Sequence, residues 1–139
     1  MGLVTDTNII VAAILRKGDT RKIIFSKNFE LYSPDRVHTE IIKHKEEFMK
    51  KAKMTNEEFL AAIELTFENI STVPVEEYIQ FKAQAQKLAP KGHEDDWPFL
   101  ALALKLDCTL WTNDKALHEQ KEVKTTTTKE LIGKTESKD

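Results

Sequence analysis

Short apolar runs alternate with longer segments of helical periodicity along this chain. The short runs predict β-strands. They cover residues 3–5, 30–33, 71–75, 108–112 and 123–127. Helical segments between successive strands imply a mainly parallel sheet with helices on both faces. The pattern therefore predicts an α/β fold with three layers, α/β/α, around a central sheet of four to five strands.

The helical segments begin at recognisable cap residues. Residues 6–8 are turn and cap residues that precede an apolar helix, and residues 55–58 have the sequence of a capping box. One long helix is predicted from Pro34 through Phe48, and another over residues 76–89. These helices would cover the predicted sheet.

The segment 98–106 is apolar on every side, with Lys105 as its one polar residue. A helix of this composition lies in a protein core. Pro98 suits its first turn, where a missing N–H costs nothing. A predicted strand follows almost at once, and a helix followed by a buried strand is half of a βαβ unit. Acidic residues lie at both ends of this unit, which is the first indication of a functional site.

The composition is that of one domain of modest size. The chain has 139 residues, of which 40% are hydrophobic, and a formal net charge of −2. We expect a single domain over residues 1–133 and a polar tail, 134–139, that frays. The net charge gives no overall signal for a polyanionic partner, although a local basic patch is enough to contact a nucleic-acid backbone.

Three features favour a cytoplasmic protein without membrane association. Cys108 is the single cysteine, so it cannot form an internal disulfide, and this fits a reducing compartment. No apolar run approaches the roughly 20 residues that cross a bilayer. The first 15 residues carry Asp6 and lack a basic leader, unlike a signal peptide.

Acidic residues are predicted to collect at one edge of the sheet. In a parallel sheet, the carboxyl ends of the strands and the amino ends of the following helices share an edge. On the predicted topology this edge receives Asp6, Glu40, Asp95, Asp96 and Asp114. Clustered carboxylates repel one another, and a divalent cation removes that repulsion. Their oxygens suit Mg²⁺ or Mn²⁺, and water activated by such an ion can hydrolyse a phosphodiester.

Each acid also has an ordinary structural interpretation. Asp6 suits the N-cap of the first helix, and Glu40 suits a solvated helix face. Asp95 and Asp96 are both favoured by the dipole at the start of a helix, and Asp114 suits a turn after a strand. Individually these signals are weak, and their convergence on one edge is what favours a shared site.

Three ordered motifs resemble the PIN-domain ribonuclease family. The sequence LVTDTN (3–8) is similar to the family's opening strand, in which an Asp precedes Thr or Ser and then Asn. Asp96 followed by WPFLALAL (97–104) resembles its central Asp before an Ala-rich helix. The sequence LWTND (110–114) resembles its closing strand with Thr-x-Asp. The order and spacing fit over residues 2–132, nearly the whole chain.

The resemblance implies a Mg²⁺- or Mn²⁺-dependent endoribonuclease. Its metal-binding and catalytic acids would be Asp6, Glu40, Asp96 and Asp114. Glu40 follows the second strand in a Val-x-x-Glu pattern, and Asp96 is preferred to Asp95 because of its spacing to the Ala-rich helix. Supporting roles, as residues that orient carboxylates or as an auxiliary acid, are implied for Asn8, Thr112 and Asp95.

Small stand-alone members of this family, the VapC-type toxins, are held inactive by a cognate antitoxin and form dimers. The resemblance therefore implies RNA as the substrate, a homodimer, and an antitoxin protein as a partner. Nothing in the sequence itself indicates a toxin role. The middle helices are richer than in the smallest toxins, which leaves that assignment open.

Basic and aromatic residues near the acids are candidates for RNA contact. Lys43 lies in a run of lysines after the second strand, and Arg16 lies in another basic cluster. Both clusters are compatible with two interpretations, contact with RNA phosphates or ordinary solvent-exposed helix faces. Trp97 flanks the central acids and is a candidate for stacking on a base, whereas Trp111 lies within a predicted strand and is assigned to the core.

His93 lies in the loop before the central acids. An imidazole at this position has two functional interpretations, donation to a phosphate or assistance to the metal. A histidine in a loop before a helix more often does neither. His93 is therefore not included among the predicted site residues.

Two other functions stay open at this stage. Aspartate-nucleophile phosphatases and phosphotransferases have a similar sheet but usually carry Asp-x-Asp after the first strand, and here Asn8 occupies the second place. A non-catalytic module that binds RNA or a protein through the same fold is the other alternative. The retained acids argue against it.

Overall fold

Five strands form one sheet in a computed structural model that describes residues 1–136. Their bounds are β1 Gly2–Thr5, β2 Glu30–Pro34, β3 Ile70–Val73, β4 Thr109–Trp111 and β5 Thr125–Thr126. The strands lie in the order β3-β2-β1-β4-β5, and every neighbouring pair is parallel. All five carboxyl ends therefore share one edge of the sheet, as the sequence pattern predicted.

Helices flank the sheet in two layers. The α-helices are α1 Thr7–Leu15, α2 Asp19–Ser26, α3 Arg36–Lys43, α4 Lys45–Ala52, α5 Asn56–Phe67, α6 Lys82–Leu88, α7 Trp97–Leu106 and α8 Thr128–Glu136. Helix α1 packs with α2 and α5, whereas α6 packs with α7. The α/β fold and its mainly parallel sheet are thereby confirmed. Within residues 1–136, each helix is too short or too polar to span a membrane.

Helix α7 and the central strands form the core. Leu3 in β1 has no exposed surface, and Pro98–Ala103 of α7 are all buried. Pro98 lies in the first turn of α7, as predicted, where its missing N–H leaves no bond unmade. Trp111 is fully buried, and its indole N–H donates to the Thr128 hydroxyl at 3.1 Å. A buried indole needs such a partner, and the assignment of Trp111 to the core is confirmed.

The capping box before α5 is present as the sequence predicted. The backbone N–H of Glu58 donates to the Thr55 hydroxyl at 3.1 Å, and the Thr55 N–H donates to the Glu58 carboxylate at 2.9 Å. These reciprocal bonds satisfy two N–H groups that lack partners within the helix. Helix α5 then buries Phe59 and Ile63 against the core.

The prediction of one long helix from Pro34 through Phe48 is wrong in one respect, because the structure has two helices over this segment. His44, with φ −100° and ψ 18°, separates α3 from α4. Helix α3 buries Val37 and Ile41, whereas α4 buries no residue fully. Apolar spacing continues across His44, so periodicity alone could not show that packing holds only the first half against the sheet.

The helix predicted over residues 76–89 is also shorter than expected. Only Lys82–Leu88 is α-helical, and two 3₁₀ turns, Val75–Glu77 and Ile79–Phe81, precede it. Tyr78 lies between these turns and is fully buried, with its ring 5.9 Å from that of Trp97. The backbone of Tyr78, with φ −127° and ψ 1°, separates the two turns, so helical spacing alone did not reveal the break.

The two edge strands are short, which limits the exposed backbone available for pairing with another chain. Pro74 follows β3, at the end of an edge strand as predicted. Strand β5 has two residues, and α8 continues to Glu136 rather than ending after one turn. Of the tail predicted to fray, residues 134–136 belong to α8, and residues 137–139 lie outside the described part of the chain.

Candidate active site

Asp6 leaves the sheet beside Thr112 because of the register between β1 and β4. Thr5 pairs with Trp111, so the next residue of each strand lies at the same edge. Asp6 is 7% exposed and caps α1, and its carboxylate accepts a hydrogen bond from the Ile9 N–H at 2.9 Å. The N-cap interpretation is therefore confirmed, and it also fixes this carboxylate at the carboxyl edge of the sheet.

The Asp6 carboxyl group is difficult to ionise in this environment. Burial is the main reason why its pKa rises from the ordinary 3.8 to about 6. Hydrogen bonding with Thr112 and Ile9 lowers the pKa, whereas the nearby charges of Asp96 and Asp114 raise it. A cation among these carboxylates would favour the ionised form.

Asp96 and Asp114 reach the same place from the two ends of the α7–β4 unit. Asp96 ends the 3₁₀ turn Glu94–Asp96 and directly precedes α7. Asp114 follows β4 and caps the 3₁₀ turn Lys115–His118, accepting a hydrogen bond from the Ala116 N–H at 3.0 Å. Asp114 is thus a turn residue after a strand and, at the same time, a carboxylate at the shared edge.

His93 lies between these two acids. Its Nδ1 is 3.4 Å from Oδ2 of Asp96 and 3.5 Å from Oδ2 of Asp114. Burial raises the pKa of Asp96, and its interaction with His93 offsets part of that increase. In the described part of the chain, His93, Asp96 and Asp114 form the one group whose donor atoms, all within 4.8 Å of one another, could hold a metal ion.

A small cavity of about 150 Å³ opens between these elements. It is lined by Asp6, Thr7, Asn8, Asp96, Phe99, Asp114 and Leu117. The structure thus brings together three of the four acids predicted for the site, with Asn8 beside them. The acids come from both ends of the chain and meet because the strand order places β4 next to β1.

Thr112 connects the site to the sheet. It is fully buried, and its hydroxyl accepts a hydrogen bond from the Asp114 N–H at 3.1 Å. The Nε2 of His118 donates to the Thr112 carbonyl at 2.7 Å, and its Nδ1 is 2.7 Å from the Thr125 hydroxyl. His118 therefore links Thr112, the residue after β4, to Thr125 of β5, a contact that no sequence motif indicated.

Glu40 and Asp95 lie near the same edge but outside the cavity. The Glu40 side chain is 48% exposed, and its Oε1 is 3.5 Å from Nε of Arg36. A guanidinium N–H of Arg36 also donates to the Asp95 carbonyl at 3.4 Å. Glu40 and Arg36 line a separate groove of about 750 Å³ with Asp35 and Lys43 among its walls. The roles assigned to Glu40 and Asp95 stay predictions.

The three candidates for RNA contact occupy different surfaces. Lys43 lines the larger groove beside α3. Arg16 and Asn8 line another groove, formed between α1 and the end of α4. Trp97 is partly buried, and the ammonium group of Lys82 lies 4.9 Å from the centre of its ring. Their contacts with RNA stay predictions as well.

Comparison with protein families identifies the fold. A family model described as "PIN domain" matches residues 4–135. The chain belongs to the PIN-domain family. The three sequence motifs lie at the ends of β1 and β4 and at the start of α7. No curated protein matches the sequence.

Three of the solved structures with the same fold are complexes from bacteria. VapBC2 from Rickettsia felis, bound to a DNA fragment from its promoter, has 17% identity and a TM-score of 0.65, covering 91% of this chain and 98% of that one. VapBC-1 from nontypeable Haemophilus influenzae has 22% identity, a TM-score of 0.63 and coverages of 93% and 99%. FitAcB from Neisseria gonorrhoeae has 17% identity, a TM-score of 0.61 and coverages of 91% and 97%. At these identities the likeness supports the PIN fold.

PIN domains generally depend on a divalent cation, and the side chains at this cavity have donor atoms suited to bind one. Asp96 and Asp114 each offer a carboxylate oxygen within 4.8 Å of the other and of the His93 imidazole. Asp6 adds a buried carboxylate whose ionisation is costly without a compensating positive charge. Hard divalent ions prefer such oxygen donors, so the donor set and the electrostatics agree.

Proposed function

We propose that this PIN domain is a divalent-metal-dependent endoribonuclease that hydrolyses RNA phosphodiester bonds. The single observation that carries the proposal is the convergence of Asp6, Asp96 and Asp114 on one cavity in a member of the PIN-domain family. The fold alone does not require three acids at this edge, and their mutual repulsion gives a reason for a cation to bind there.

Hydrogen bonds hold two of the acids, Asp6 and Asp114, in place at the proposed ion site. Asp6 is fixed by the Ile9 N–H and Thr112, and Asp114 by the Ala116 N–H. These bonds hold both carboxylates before substrate arrives, which avoids reorganisation during the reaction. When bound, Mg²⁺ or Mn²⁺ would activate a water molecule and stabilise the charge that develops on the phosphate. Glu40 is retained as a proposed outer member of the set.

RNA is the proposed substrate because the grooves beside the cavity carry basic and aromatic groups. Arg36 and Lys43 line the groove next to α3, and Arg16 lines the groove beside α1. Such side chains suit backbone phosphates, and Trp97 is placed at the start of α7 beside Asp96. We extend the proposal to Asp95, Asn8 and Thr112 as supporting residues.

We further propose the assembly and setting that the family resemblance implies. These are a homodimer, a cognate antitoxin as protein partner, and a cytoplasmic location with the domain spanning residues 1–133. The shared fold with VapBC and FitAcB structures supports the antitoxin partner. Cys108 is a free, half-buried thiol, which is compatible with a reducing compartment. We also propose a toxin role, and this part of the proposal is independent of the ribonuclease activity.

The test is cleavage of a single-stranded RNA oligonucleotide, with a DNA of the same sequence in parallel. Cleavage of RNA is expected with Mg²⁺ or Mn²⁺ and not with EDTA. Asp96→Asn and Asp114→Asn are each expected to abolish it, because each removes one of the carboxylates that hold the ion. The matched control is Asp107→Asn, since Asp107 ends α7 at the opposite edge with φ 53°, a conformation that Asn tolerates.

Different outcomes separate the alternatives. Undiminished RNA cleavage by both Asp96→Asn and Asp114→Asn would remove the proposed site. Hydrolysis of a phosphomonoester through a trapped aspartyl phosphate would favour an Asp-nucleophile phosphatase. RNA binding without cleavage in the presence of either ion would favour a non-catalytic module.

A further inference from the structure

His93 contacts two acids of the site although the sequence motifs assign it no role. We propose that Nδ1 of His93 is a ligand of the cation held by Asp96 and Asp114, so that this PIN domain binds its ion through nitrogen as well as oxygen. The inference rests on the proposed function in one respect, the presence of a cation at these carboxylates.

The two distances from His93 are longer than an ordinary hydrogen bond and close to the spacing between neighbouring ligands of one ion. Nδ1 of His93 is 3.4 Å from the Asp96 oxygen and 3.5 Å from the Asp114 oxygen. Both values exceed the roughly 2.7–3.2 Å of an ordinary N–H···O bond. Ligands that surround an ion at about 2.1 Å are about 3.0–3.4 Å apart in octahedral or tetrahedral geometry. The imidazole nitrogen therefore lies where a third donor would be placed.

Hydrogen bonds hold the backbone of His93 in position beside the two acids. The His93 N–H donates to the Pro90 carbonyl at 2.8 Å, and the His93 carbonyl accepts from the Asp96 N–H at 3.0 Å. Gly92, with φ 88°, makes the turn that directs the chain into this arrangement. A ligand held by bonds on both sides loses little conformational entropy when an ion binds.

A mixed donor set changes which ion the site prefers. Mg²⁺ favours oxygen ligands, whereas first-row transition ions accept imidazole nitrogen readily. A site made only of carboxylates lacks the nitrogen ligand that would raise its affinity for Mn²⁺ relative to Mg²⁺. With His93 as a ligand, we expect the site to favour Mn²⁺ over Mg²⁺.

The decisive measurement is the electron spin echo of Mn²⁺ bound to the 139-residue chain, which needs no activity. Nitrogen bonded directly to Mn²⁺ modulates the echo, and a protein labelled with ¹⁵N-histidine changes the modulation in a characteristic way. The chain has four histidines, so His93→Gln assigns the signal. The control is His44→Gln, because His44 is exposed between α3 and α4 and its nearest charged partner is Glu47 at 3.7 Å.

We expect histidine modulation in the unaltered protein and in His44→Gln, and its loss in His93→Gln. Bound Mn²⁺ without histidine modulation would overturn the inference and leave the carboxylate site of the proposed function intact. Modulation that persists in His93→Gln would also overturn it. An absence of Mn²⁺ binding would contradict both the inference and the metal dependence of the proposed function.

Metal titration gives a second readout that separates ligation from a purely structural role. His93→Gln is expected to weaken Mn²⁺ binding by about tenfold or more, because the loss of even a residue that only orients a metal ligand costs about 10–100-fold in affinity. Mg²⁺ binding should weaken less, because it depends on the carboxylates. An equal loss for both ions would indicate that His93 only positions Asp96 and Asp114, contrary to the proposal.

Discussion

The Ile9 N–H donates to the Asp6 carboxylate at 2.9 Å, so one buried side chain both begins α1 and forms part of the candidate site. The cap explains how Asp6 stays in place although its pKa is raised to about 6. It also means that an Asn at this position would keep the cap while removing the charge, because an Asn side chain accepts the same bond.

Asp6→Asn is expected to change how the stability of the metal-free protein depends on pH. In the unfolded chain Asp6 ionises near pH 3.8, but in the folded chain only near pH 6. The contribution of Asp6 to the free energy of unfolding should therefore be largest below about pH 4 and be lost as the pH rises through 6, by on the order of 2–3 kcal/mol. This contribution should be missing in Asp6→Asn, as measured by denaturant unfolding in EDTA from pH 4 to 8.

The informative quantity is the difference between the two curves, because other acids titrate in the same range. Asp107→Asn is the control for loss of one negative charge, since Asp107 lies at the opposite edge of the sheet. Parallel curves for Asp6→Asn and the unaltered protein would contradict the raised pKa. Addition of Mn²⁺ at pH 7.5 should stabilise the unaltered protein more than Asp6→Asn.

Thr112→Val is expected to weaken the site without removing an acid. Valine keeps the shape of threonine but loses the hydroxyl that accepts from the Asp114 N–H and favours ionisation of Asp6. We expect a loss of about 1–2 kcal/mol in the free energy of unfolding and about a tenfold loss of RNA cleavage. Thr112→Ser keeps the hydroxyl and should retain most activity. Equal cleavage rates for the two variants would show that the hydroxyl has no supporting role.

The sheet and most of the site were predictable because they follow from strand order. Asp6 and Asp114 each come directly after a buried apolar strand, and parallel strands place such residues at one edge. The pairing of Thr5 with Trp111 then brings them together. Asp96 was predictable for a related reason, since it precedes the apolar helix that leads back into β4.

Features that depend on individual tertiary contacts were not predictable in the same way. The approach of His93 to Asp114 requires the 3₁₀ turn before α7 and the turn after β4 to meet. The break at His44 reflects how little of α4 is buried, which apolar spacing does not reveal. The pairing of Glu40 with Arg36 likewise depends on side-chain direction rather than on position in the chain.

Glu40→Gln is expected to reduce cation affinity less than Asp96→Asn or Asp114→Asn. The Glu40 carboxylate is half exposed and faces Arg36, outside the cavity that the two aspartates line. Mn²⁺ titration of the three variants gives the comparison. Glu47→Gln is a suitable control, because Glu47 is an exposed residue of the neighbouring helix α4. A loss for Glu40→Gln as large as for the aspartates would mean that Glu40 turns from Arg36 to the ion when it binds.

Lys43→Ala is expected to weaken RNA binding and to make it less dependent on salt. Lys43 is exposed in the last turn of α3 and lines the groove beside the site. A single-strand phosphate contact contributes about 0.7 to the slope of log affinity against log salt concentration. Binding is best measured in EDTA on the Asp96→Asn background, so that no cleavage occurs. Lys105→Ala is the matched control, because Lys105 is also exposed in the last turn of a helix but at the opposite edge of the sheet. If both lysine variants had the same slope of log affinity against log salt concentration, Lys43 would not contact the RNA.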